Sequence, residues 1–118
     1  MTTPIAAVVR QARELLADET HWTQGAYAYD ESGKALRGPD QVAVRWCRVG
    51  AIAKCAGVYE PSWVEAIAHY LSAVAIRVGL LSAPNSVLDV NDRNTHREVL
   101  GYMANLADAL EREEVGNA

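Results

Sequence analysis

The chain has 118 residues, half of them apolar and 22% charged, with fifteen acids against eleven bases. Such a composition fits one globular domain, large enough to bury roughly two thirds of its unfolded surface without disulfides or a structural metal, and it excludes a disordered chain. A net charge of −4 argues against a general nucleic-acid or anionic-membrane binder and is far too small for a nucleic-acid mimic.

Elements follow in chain order. Thr3-Pro4 reads as an N-cap with proline at the first helical position. Ile5, Val8, Val9, Ala12, Leu15 and Leu16 then recur at helical spacing, which predicts a helix from about Pro4 to Glu19. The period changes at Gly25. Ala26-Tyr27-Ala28-Tyr29 and Lys34-Ala35-Leu36-Arg37 flank a Gly-containing turn, predicting a small β-hairpin over about 25–38 that packs onto the third helix. After Gly38-Pro39-Asp40 the chain re-enters helix between Gln41 and Cys47, and Gly57 closes that second helix as a left-handed cap.

Ser62 and Glu65 have capping-box spacing for a third helix, about 62–79, which is apolar on most faces and is therefore expected at the centre of the domain. Glu65, His69 and Arg77 divide this stretch, so it reads as a buried helix and not a membrane span. Ser86–Val90 reads as a short strand. Thr95 and Glu98 form another capping box, opening a fourth helix with Val99, Leu100, Met103, Leu106, Ala107 and Leu110 on its buried face and Glu111, Glu113 and Glu114 fraying into solvent. The fold class is mainly helical α+β, a single domain of about four helices with one hairpin. Cys47 and Cys55 lie eight apart in one predicted helix, about 12 Å, beyond the ~7 Å reach of a disulfide. With no basic N-terminal leader, a reduced cytoplasmic protein is expected.

Two groups of residues exceed what packing requires: His21-Trp22-Thr23-Gln24-Gly25-Ala26 with Arg45-Trp46-Cys47-Arg48-Val49-Gly50-Ala51, and Asn91-Asp92 with Thr95-His96-Arg97-Glu98-Val99-Leu100. The order W-T-Q-G-A, hairpin, W-C-x-x-G-A, N-D-x-x-T-x-x-E-V-L resembles a family of small uncharacterised proteins of bacterial genomes and phages. The likeness runs from about Leu15 to Leu110, with Val90 where the family pattern has Trp before Asn-Asp. It implies a shared site in which Trp22, Gln24, Trp46, Asn91, Asp92 and Thr95 form a binding surface. It also implies a protein partner, in the manner of phage or mobile-element inhibitors of host defence complexes.

Three function classes follow. The favoured one is a non-catalytic binding protein acting on a protein partner, with a homodimer as an open alternative and no cofactor, metal or membrane. The second is a cysteine-dependent enzyme in which Cys47, near a helix start that favours thiolate, works with His96 and Asp92. Against it, Trp46, Val49, Ala51 and Ile52 desolvate the thiol, while Arg45 and Arg48 are long cations expected to reach water. The third is a helix-turn-helix regulator, read from Ile52–Val58 and Ser62–Ile67. Glu60 and Glu65 at the start of its reading helix, with no Lys or Arg before Arg77, make nucleic acid an improbable partner. The His and Cys spacings match no zinc motif, and no Gly-rich phosphate loop joins a strand to a helix.

Overall fold

The computed structural model describes residues 4–77, 79 and 95–116, with side chains to residue 113. The elements are α1 (Ile5–Ala17), a 3-10 turn (Glu19–His21), β1 (Ala28–Asp30), β2 (Ala35–Leu36), β3 (Ala43–Trp46), α2 (Arg48–Ala56), α3 (Pro61–Arg77) and α4 (His96–Gly116). This is a mainly helical α+β fold in which α1 packs against both α2 and α4, and the sheet sits at one end beside α2. Thr3, the predicted strand at 86–90, Val90, Asn91 and Asp92 lie outside the described residues.

Helix α1 buries Ala6, Val8, Val9, Ala12 and Leu16, the stripe its 3.6-residue period requires. Pro4 stands one position before the helix, with extended ψ and no side-chain cap. The helix ends at Ala17 because Asp18 turns extended and its carboxylate takes the Thr20 amide at 3.0 Å, starting the 3-10 turn. On the solvent side Arg10 reaches Asp108 at 2.7 Å and Glu111 at 2.6 Å, while Arg13 donates to the Leu100 carbonyl at 2.9 Å. Those bonds tie α1 to α4. Glu111 and, through Arg77, Glu113 are thus engaged, where the sequence suggested a fraying end.

The hairpin is present, and a third strand joins it. The sheet is antiparallel with order β2-β1-β3, and Ala28 faces Leu36 on one side and Trp46 on the other. The expected helix between Gln41 and Cys47 is therefore corrected to β3, followed by a helix that starts only at Arg48. The four residues of β3 run buried, exposed, exposed, buried, with Val44 and Arg45 both outward, and they pair along β1 across a bulge at Tyr29/Asp30. The hairpin turn is set by Asp30, whose carboxylate accepts from the amides of Ser32 and Lys34 at 2.9 Å each.

The centre of the domain is α2, not α3. Every residue from Arg48 to Ala53 is buried, and Gly57 closes the helix at φ 74° as the sequence predicts. Helix α3 buries only Val64, Leu71, Val74 and Ala75, and leaves Trp63 66% and Tyr70 49% exposed. Strand β3 meets α2 and the 3-10 turn, while Tyr27, Arg37 and Gly38 of the hairpin lie beside the start of α3, near Pro61, Val64 and Glu65. The cap of α3 also differs. Glu60 accepts from the Ser62 and Trp63 amides at 3.1 and 3.3 Å and from the Ser62 hydroxyl, so Pro61 is the first helical residue and Ser62 with Glu65 makes no box. Glu65 instead faces His69 at 3.7 Å one turn on. At α4 the box is present: Thr95 N–H donates to Glu98 Oε1 at 3.0 Å, and Glu98 N–H donates to Thr95 Oγ1 at 3.2 Å. No described helix is long and apolar enough to cross a membrane.

Candidate functional site

Trp22, Trp46, Cys47, Thr95 and His96 gather where the end of α1, the end of β3, the start of α2 and the start of α4 meet. The last turn of α1 has carbonyls with no partner inside the helix. His21 Nδ1–H donates to the Leu15 carbonyl at 3.0 Å and His96 Nε2–H to the Leu16 carbonyl at 2.5 Å, so two imidazoles from distant parts of the chain cap one helix end. Trp22 lies against His96, ring centroids 5.4 Å apart, and His21 meets Trp46 edge-on at 6.1 Å. The backbone joins in: Trp22 and Trp46 form an isolated parallel bridge, and Thr23 N–H donates to the Trp46 carbonyl at 3.0 Å. Lys54 Nζ stands 5.5 Å from the centre of the Trp46 ring, covering its outer face.

Cys47 is the N-cap of α2. Its Sγ accepts from the Gly50 amide at 3.4 Å, its own N–H donates to the Tyr27 carbonyl at 3.0 Å, and the residue is fully buried. The predicted placement at a helix start is thus realised in an interior position. Gly50 explains itself on the same contact: a methyl there would stand 2.0 Å from the Tyr27 carbonyl oxygen. The glycine admits the backbone leading into β1, where the sequence suggested close helix packing. Neither cysteine forms a disulfide, and burial pushes the half-buried Cys55 thiol up.

Arg48 overturns its expected exposure. It is wholly buried, its guanidinium 4.2 Å above the Tyr102 ring of α4, and burial pulls its pKa down to about 10. Burial also raises the Tyr102 hydroxyl, which makes no hydrogen bond among the described residues. Sequence reasoning passed over Arg48 because a long cation defaults to water. The available signal was its spacing: Arg48 shares the helix face of Ala51 and Ile52, both fully buried.

The structure brings Trp22, Trp46, Cys47 and His96 together and places Thr95 beside His96 as a cap. Gln24 is exposed, its carbonyl accepting from the Tyr29 hydroxyl at 3.2 Å. Trp46 is only 7% exposed, so a partner would meet Trp22 and Gln24 from this set before it met Trp46. Asn91 and Asp92 lie outside the described residues. Among the described residues, no three His, Cys, Asp or Glu side chains are placed to share a metal ion. A groove of about 630 Å³, open to solvent, runs along β2 between Lys34, Arg37, Asp40 and Tyr59, and neither Trp22 nor Trp46 lines it.

These features define a small α+β protein in which signature residues brace helix ends from within. The chain belongs to the Family of unknown function (DUF6197), whose model matches residues 1–109. No curated protein and no solved structure matches it.

Proposed function

We propose that this protein is a non-catalytic protein-association module that uses α3 as its contact face. The observation that carries this reading is the exposure of Trp63 and Tyr70 on one face of that helix, seven residues apart. Large apolar side chains left in contiguous water-facing patches cost free energy in a monomer and mark interaction sites. Tryptophan and tyrosine are also the side chains that most often dominate binding energy. The buried thiol supports the same reading from the other side. A nucleophile must reach substrate, whereas Cys47 is fully buried and holds the Gly50 amide, and His96 Nε2 is committed to a helix carbonyl.

Nucleic acid remains an unfavoured partner, because the start of α3 presents exposed Glu60 and Glu65 to anything that approaches it. The expectation of a host defence complex as partner rests on the family resemblance; the geometry speaks to the mode of action. The test is affinity capture with the tagged protein and with a Trp63→Glu/Tyr70→Glu variant of unchanged circular dichroism. A protein, this chain included, that is held by the wild type and released by the variant supports the reading. One held equally by both refutes the assignment of α3.

A further inference from the structure

We infer that the partner received by α3 is a second copy of this chain, packed against it antiparallel; this rests on α3 being the contact face. Trp63, Ala66, Tyr70, Ala73 and Arg77 are all exposed, and their spacing alternates three and four, the seam of a coiled coil. The core-facing residues Val64, Leu71, Val74 and Ala75 occupy another side of the helix, and the seam residues are exposed. Along it, large and small residues alternate: Trp63, Ala66, Tyr70, Ala73. In a parallel pair, each aromatic residue would meet its own copy and each alanine another alanine, giving clashes and voids in turn.

Antiparallel pairing resolves both. With the two-fold axis near Ala68, Trp63 of one copy faces Ala73 of the other, and Ala66 faces Tyr70, so every layer holds one ring and one methyl. Self-complementarity of this kind is what an isologous interface demands. Charge runs the same way. The N-terminal half of the helix carries Glu60 and Glu65 and its C-terminal end carries Arg77, whose guanidinium holds Glu113 at 3.0 and 2.7 Å. Antiparallel packing sets Glu60 near the other copy's Arg77, which Glu113 already holds, and opposes the two helix dipoles. A helix from an unrelated protein would have to reproduce this alternation and this charge gradient in reverse; a second copy has them already.

Sedimentation equilibrium tests the pairing, with circular dichroism on each variant to show that it folds. At about 100 µM the wild type is expected to approach twice its 12.8 kDa chain mass. Trp63→Glu, a change at an exposed position, should leave only monomer. Ala73→Trp places two indoles in each outer layer and should weaken the dimer at least tenfold. Trp63→Ala combined with Ala73→Trp exchanges the members of each outer layer and should restore it. Wild type at chain mass throughout overturns the inference, as does an exchange variant that folds and stays monomeric while Ala73→Trp alone dimerises. If the wild type is monomeric yet captures another protein through Trp63, the association reading stands and self-pairing falls. If it is monomeric and captures nothing, both fall.

Discussion

Replacing Gly50 with alanine should unfold this protein's tightest joint, and the same substitution at Gly101 should do the opposite. At Gly50 the new methyl carbon would lie 2.0 Å from the Tyr27 carbonyl oxygen and 2.9 Å from its carbon, both of them backbone atoms that cannot swing aside. Forcing such a contact apart costs about 1–3 kcal/mol, at the upper end where backbone must move. The shift also strains the bond from Cys47 N–H to that oxygen, a further loss of about 1 kcal/mol. The helix propensity gained by alanine over glycine returns about 1 kcal/mol, leaving a net destabilisation of about 3 kcal/mol. With an unfolding entropy of about 2.1 cal/mol/K per residue over 118 residues, that is a fall in Tm of about 12 °C. Gly101 sits inside α4 with nothing within 4 Å of its would-be methyl, so Gly101→Ala keeps only the propensity gain, up to about 1 kcal/mol and roughly 4 °C. Thermal and urea unfolding followed by far-ultraviolet circular dichroism reads both, at one fixed protein concentration because association also shifts Tm. A Gly50→Ala cost below half a kcal/mol, or equal signs for the two variants, would refute the close backbone approach.

Three further predictions test the packing and the site. Ile52→Ala should cost about 2–5 kcal/mol in urea unfolding, whereas Tyr70→Ala should cost under about 1 kcal/mol at dilutions where the chain is monomeric, because α2 and not α3 holds the centre of the core. Under native conditions a thiol reagent should modify the half-buried Cys55 first and reach Cys47 only at the rate of unfolding, read by mass spectrometry; equal rates would place Cys47 at the surface. Hydrogen bonds from Thr95 hold the Glu98 carboxyl below its ordinary value, and bonds from Ser62 and Trp63 do the same for Glu60. A carboxyl with a lower folded-state pKa stabilises fully above its unfolded value of about 4.3 and loses that contribution as pH falls through the folded one. Stability should therefore drop on acidification below that point, and Glu98→Gln should flatten the slope.

What was legible in the sequence was whatever depended on local pattern. The 3.6-residue stripe of α1, the Thr95/Glu98 box and the left-handed cap at Gly57 follow from neighbours within four residues, and all three are present. Strand β3 was missed because the four residues Ala43–Trp46 carry no alternation to read, and their pairing is with β1, fifteen or so residues away. The depth of α3 was misjudged for a different reason: an apolar composition shows that a face seeks cover without showing whether the rest of the chain or another molecule supplies it. Arg48 shows the same limit in reverse, since its burial depends on Tyr102, more than fifty positions further on. That Trp22, Trp46 and His96 belong together was legible in the sequence, but their roles were not. Nothing in the spacing of His21 and His96 indicates that both imidazoles serve the end of α1.

If α3 pairs antiparallel with its own copy, an isotope-filtered NOE experiment reads the contacts between the two helices themselves. In an equal mixture of labelled and unlabelled protein, the Trp63 indole protons of one copy should show intermolecular contacts to the Ala73 methyl of the other, and the Tyr70 ring to the Ala66 methyl. Intermolecular contacts confined to other surfaces, or Trp63 meeting Trp63, would contradict it.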